Sequence, residues 1–118
     1  MNFSITDKYI LSGLYTASEK QSIYQALCAV RNIGKHDMEN KGNIINEVMK
    51  IIGLTEQERI SSRNLSLQQM TQILQKMDES KKIYLAKFIS NVVLVGGATE
   101  NETKFAYQLF NLFQIPQI

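Results

Sequence analysis

Proline occurs once in the 118 residues, at Pro116, so almost the whole chain is free of the residue that most reliably interrupts a helix. Apolar residues recur at the three- and four-residue spacing of a helix face, and alternating strand-like runs are lacking. Together these features dictate an all-α fold. Capping chemistry divides the chain into six to seven helices. Thr6 is placed to cap a helix carrying Ile10, Leu11, Leu14 and Tyr15, and Ser18 to open one with Ile23, Ala26, Leu27, Val30 and Ile33. A polar connection from His36 to Asn40 leads to a third helix with Ile44, Ile45, Val48, Ile51 and Ile52, closed by Gly53. Thr55 and Glu58 have capping-box spacing, as do Thr99 and Glu102, while Ser66 and Asp78 open the helices between them. The glycines, Gly42 among them, fall mostly where helices are expected to stop.

The order of these elements contains a repeat. An offset of sixty residues pairs Ile10 with Met70, Leu14 with Leu74, Ile23 with Ile83 and Ala26 with Ala86. One extra residue near Gly34 shifts the offset to sixty-one, pairing Glu39 and Asn40 with Glu100 and Asn101, and Ile44, Val48, Ile51 and Ile52 with Phe105, Leu109, Leu112 and Phe113. A three-helix unit of this size is too small to bury its own apolar face. The expected architecture is therefore one domain over 1–118, with units 5–54 and 65–115 related by a pseudo-two-fold and bridged by 55–64. Ile23, Ala26, Val30, Ile83, Ala86 and Ile89 are expected to be buried between them.

Composition narrows the function. The net charge of +2 is spread along the chain, and no stripe of basic residues interleaved with aromatics suggests nucleic acid as a partner. The densest basic group, Lys76, Lys81, Lys82 and Lys87, reads as a solvated face. The longest apolar stretch, Phe88 to Ala98, is broken by Ser90, Asn91 and two glycines and falls short of the ~20 residues that span a bilayer. No membrane contact is expected. The N-terminal residues lack the basic cluster and apolar run of a secretory signal, and a single cysteine suits a reducing compartment, so the expected location is cytoplasmic.

The turn after the sixth long apolar segment reads Asn91-Val92-Val93-Leu94-Val95-Gly96-Gly97-Ala98-Thr99-Glu100-Asn101-Glu102, and the corresponding turn of the first unit reads Lys35-His36-Asp37-Met38-Glu39. In this pattern the chain resembles the TerB-like family of tellurite-resistance and related helical proteins along nearly its entire length. That family is a duplicated helical unit whose signature is an Asp-Gly at a helix end, an acidic turn, and a glutamate opening the next helix. Gly97 matches the family's glycine and Glu102 lies near its glutamate, but Gly96 and Lys35 stand where the aspartates would be. The resemblance implies a helical module in a stress-response setting. It also implies a cation site drawn from the acids of both turns, here degenerate. If such a site exists, Asp37, Glu39, Glu100 and Glu102 are its candidates. Without the aspartates, and with an ammonium at one of their positions, no metal is expected to bind tightly, since hard cations take six to eight oxygen ligands. The alternative reading of Glu100 and Glu102 is helix capping.

No catalytic residue is evident. Cys28 lies mid-helix among Leu27, Ala29 and Val30, without the charge partner that makes a thiol reactive. His36 lacks a second histidine or cysteine at zinc-ligand spacing, and phosphate loops, dinucleotide fingerprints and nucleophile elbows are missing. No cofactor and no small-molecule substrate are expected. Phe105, Tyr107, Phe110 and Phe113 cover more than one face of the last helix. Phe105 and Phe113 fit the core, and Phe110 suggests a surface for a protein partner or a second copy. The sequence thus reads as a non-enzymatic interaction module, with a metal-responsive domain as the alternative.

Overall fold

The computed structural model of the protein describes residues 3–116; the extreme ends of the expected domain, 1–2 and 117–118, lie outside the described residues. Six of the seven α-helices start where a side chain satisfies their first amides; α3, preceded by left-handed Asp37, has no side-chain cap. Ser4, Thr16, Thr55, Ser66 and Thr99 form capping boxes with Asp7, Glu19, Glu58, Gln69 and Glu102, and Asp78 accepts from the Lys81 amide. The helices are α1 (Ile5–Leu11), α2 (Ala17–Gly34), α3 (Met38–Ile52), α4 (Glu56–Ser61), α5 (Leu67–Gln75), α6 (Glu79–Leu94) and α7 (Glu100–Leu112), with one 3-10 turn at Ser62–Asn64. Among the described residues there is no strand. Three expectations about helix ends need correcting. Ser4 rather than Thr6 caps α1, and Thr16 rather than Ser18 caps α2, because each has an acidic partner three residues on. Gly42 is interior to α3, where it faces the Arg31 guanidinium.

Helix α2 is the centre of the fold. It packs against α3, α5, α6 and α7 and touches α4, and its Ile23, Ala26, Leu27 and Val30 are fully buried. The buried apolar residues form one cluster around it.

The spacing of equivalent positions differs from the expected sixty residues in this part of the chain. The N-caps Ser4 and Ser66, Thr16 and Asp78, and Asp37 and Thr99 are each sixty-two residues apart. Buried residues follow the same spacing in α2 and α6: Ile23 with Leu85, Ala26 with Phe88, Leu27 with Ile89, and Val30 with Val92. Ile83 and Ala86, expected in the core, are therefore only half-buried, because the inward stripe of α6 lies two residues further along. Ile89 is buried as expected. In α3 and α7 a spacing of sixty-one pairs buried residues, Val48 with Leu109 and Ile52 with Phe113.

This register has a measurable consequence. Leu85→Ala removes a fully buried side chain and should lower unfolding stability by about 2–5 kcal/mol. Ile83→Ala should cost clearly less. Chemical denaturation of the two variants measures both, and an equal or larger loss at Ile83 would contradict the register.

Candidate functional site

The turn between α2 and α3 and the turn between α6 and α7 lie against each other. In the first, Lys35 and Asp37 both adopt left-handed backbone, with φ of 53° and 49°, so the chain reverses sharply on either side of His36. In the second, Gly96 and Gly97 both have positive φ. Gly96 is required twice over. Its φ of 75° disfavours side chains, and a Cβ there would fall 2.3 Å from Asp37 Oδ2. The glycine standing where the TerB-like pattern has an aspartate therefore makes room for an aspartate of the opposite turn.

Beneath these turns lies a charged pair that sequence reasoning missed. Lys41 of α3 and Glu102 of α7 are both fully buried, with Lys41 Nζ 2.9 Å from Glu102 Oε2. They are sixty-one residues apart, the spacing that also separates Val48 from Leu109 and Ile52 from Phe113. The ammonium also donates to the carbonyls of Val92 (2.8 Å), Val93 (3.2 Å) and Val95 (2.9 Å), around the C-terminal end of α6. Three protons are thus matched by three carbonyls, and Oε2 is held by charge and proximity rather than by a well-aligned hydrogen bond. The helix dipole favours this arrangement at both ends: a cation at the C-terminus of α6 and a carboxylate in the first turn of α7.

The other carboxylate oxygen is equally occupied. Glu102 Oε1 accepts from His36 Nε2 (2.5 Å), from the Thr99 amide (3.1 Å) and from Thr99 Oγ1 (3.0 Å). Burial alone would raise the Glu102 pKa, but the hydrogen bonds from His36 and Thr99 and the adjacent Lys41 ammonium outweigh it and hold the carboxyl down at about 2. Gly34 completes the arrangement, since a Cβ there would stand 2.6 Å from Oε2 and the pinned carboxylate has nowhere to move.

The four acids singled out in the sequence do not converge. Glu102 is buried and fully engaged, and its capping box with Thr99 is present as the capping alternative required. Asp37 lies over Gly96 and accepts from Asn40 Nδ2 at 2.7 Å. Glu100 is exposed and pairs with Lys104 one turn along α7. Glu39 lines a different groove, on α2 and α3. Among the described residues no three histidine, cysteine or acidic side chains stand close enough to share a metal ion.

Two of the surface grooves involve residues singled out in the sequence. One, of about 260 Å³, is polar and is lined by Tyr24, Cys28, Arg31, Glu39 and Asn43 among others. Burial pushes the Cys28 thiol above its ordinary pKa, which disfavours the reactive thiolate. The other, of about 190 Å³, runs between α6 and α7 and is mostly apolar, with Val93, Leu94, Ala106, Tyr107 and Phe110 in its walls. Leu94 and Tyr107 are 64% and 58% exposed beside it. Phe113 and half-buried Phe105 join the core, while Phe110 both packs on the core and lines this groove. Among the described residues no helix is long and apolar enough to cross a membrane.

Comparison with protein-family models, with curated proteins and with solved structures finds no match to the chain.

The Lys41–Glu102 pair makes a specific energetic prediction. Lys41→Leu or Glu102→Leu alone leaves a buried charge without its partner and should cost about 3–5 kcal/mol. The double variant removes both charges, so its loss should fall well below the sum of the two. A double-mutant cycle by denaturant unfolding measures this coupling; additive losses would show that the two charges do not depend on each other.

Proposed function

We propose that the protein is a non-enzymatic helical interaction module that engages a protein partner, or a second copy of itself, through the apolar groove between α6 and α7. The observation that carries this reading is the exposure of Leu94 and Tyr107 on either side of a groove walled by Val93, Ala106 and Phe110. Apolar residues clustered around a concavity mark contact surfaces more often than scattered ones do. The absence of an enzymatic role is supported by the state of the polar groups. Glu102 orients His36, but among the described residues no serine, threonine or cysteine hydrogen-bonds to that imidazole to serve as nucleophile. Cys28 is held as a thiol by burial.

The TerB-like resemblance of the two turns supports a stress-response setting for this module. Spacings of sixty-one and sixty-two residues between equivalent caps and core positions support its origin as a duplicated three-helix unit. A metal-responsive role is less well supported, because Lys41 supplies the positive charge that Glu102 faces, and among the described residues no three acidic, histidine or cysteine side chains stand close enough to share an ion.

Leu94→Asp and Tyr107→Asp test the proposal. Both residues are exposed, so thermal unfolding of each variant should stay close to that of the native chain. Sedimentation velocity and affinity capture from native lysate should show at least about a tenfold loss of self-association or of a captured partner, the loss that about 1.4 kcal/mol of contact energy represents. Association unchanged in both variants would remove the groove from the account.

A further inference from the structure

We propose that the carbonyls of Val92, Val93 and Val95 and the carboxylate of Glu102 form a cation-binding cradle that the chain fills with its own Lys41 ammonium, and that the cradle accepts a soluble primary alkylammonium when that side chain is shortened. Four oxygens surround the Lys41 nitrogen at 2.8–3.2 Å, all contributed by the α6 end and by α7, while the lysine enters from α3. The cradle and its occupant therefore belong to different halves of the fold. The three carbonyls near the end of a helix and a buried carboxylate oxygen whose one close partner is the Lys41 ammonium make a negative pocket that would stand open without an occupant.

The dimensions exclude the hard divalent cations. Calcium takes six to eight oxygens at about 2.3–2.6 Å and magnesium an octahedron at about 2.0–2.1 Å. Four oxygens at the observed distances suit neither. They suit an –NH3+ group, which donates three hydrogen bonds and is satisfied by three acceptors and a counter-charge. Lys41 being fully buried, its stem fills a channel from α3 to the cradle. Cutting the side chain at Cβ removes three carbons and the nitrogen, the atoms of n-propylammonium. The consequence for the natural protein is that the two turns close without an external ion.

Chemical rescue of Lys41→Ala, read as thermal unfolding by circular dichroism, tests the proposal. n-Propylammonium chloride at about 100 mM should raise the melting temperature of this variant by about 5 °C through preferential binding to the folded state. n-Propanol, which fills the same space without charge, and tetramethylammonium, which carries charge without N–H donors, should each move it little. The native chain, its cradle already filled, should not respond to n-propylammonium beyond these controls, and Lys41→Ala/Glu102→Gln should respond far less than Lys41→Ala. If Lys41→Ala does not fold alone, the readout becomes recovery of helical signal on adding n-propylammonium. Lys41→Met supplies a second measurement: it keeps the stem and loses the charge, and should melt well below the native chain. Rescue by n-propanol equal to that by n-propylammonium, absence of any rescue, or a Lys41→Met variant as stable as the native chain would each overturn the proposal.

Discussion

A lysine and a glutamate with no exposure to water set the terms for the rest of this structure. Burying Lys41 and Glu102 costs several kcal/mol per charge unless every proton and lone pair finds a partner. That requirement fixes the surrounding chain. α6 must end where its carbonyls at Val92, Val93 and Val95 face α3, and α7 must begin so that Glu102 stands in its first turn. The α2–α3 turn must place His36 over the carboxylate, which it does with left-handed residues at Lys35 and Asp37. Gly34 must lack a side chain, and Gly96 must leave space for Asp37. Several features that look independent along the chain are thus consequences of one contact.

The apolar core would by itself tolerate some sliding of one half over the other, since packed aliphatic surfaces are only weakly directional. The buried pair is directional. It joins α3 to α7, and the lysine's other partners are backbone carbonyls at the end of α6. Stability thus comes mainly from Ile23, Leu27, Phe88, Phe113 and their neighbours, and Lys41 and Glu102 define how those surfaces are aligned.

Much of the fold is legible in the sequence for local reasons. Ser66, Asp78, Thr55 and Thr99 act within three residues of themselves, so their roles as caps can be read from spacing alone. The exact register of α6 is not local. Its stripe faces α2, and both Ile83 and Leu85 are plausible core residues until the Asp78 cap is aligned with Thr16 instead of Ser18. Glu102 was identifiable as a capping residue, and its partner was not. Lys41 follows a run of polar residues in a helix with a glycine beside it, and nothing within one turn distinguishes it from a solvated lysine. The sixty-one-residue offset that pairs Asn40 with Asn101 also pairs Lys41 with Glu102, and opposite charges at equivalent positions of two packed units were the available signal. The other three acids of the turns engage elsewhere: Asp37 with Asn40, Glu100 with Lys104, and Glu39 in the polar groove of α2 and α3.

The most direct measurement is the titration of the Glu102 side-chain carboxyl carbon, followed by NMR as pH is lowered. A carboxylate buried against Lys41, His36 and Thr99 stays ionised far below its usual range, and its contribution to stability is present above the unfolded-state value and lost as pH falls through the folded one. The account predicts that the Glu102 signal holds its ionised position until about pH 2, with acid unfolding setting in as it moves. A midpoint at or above the ordinary 4.5, with the fold intact, would contradict it.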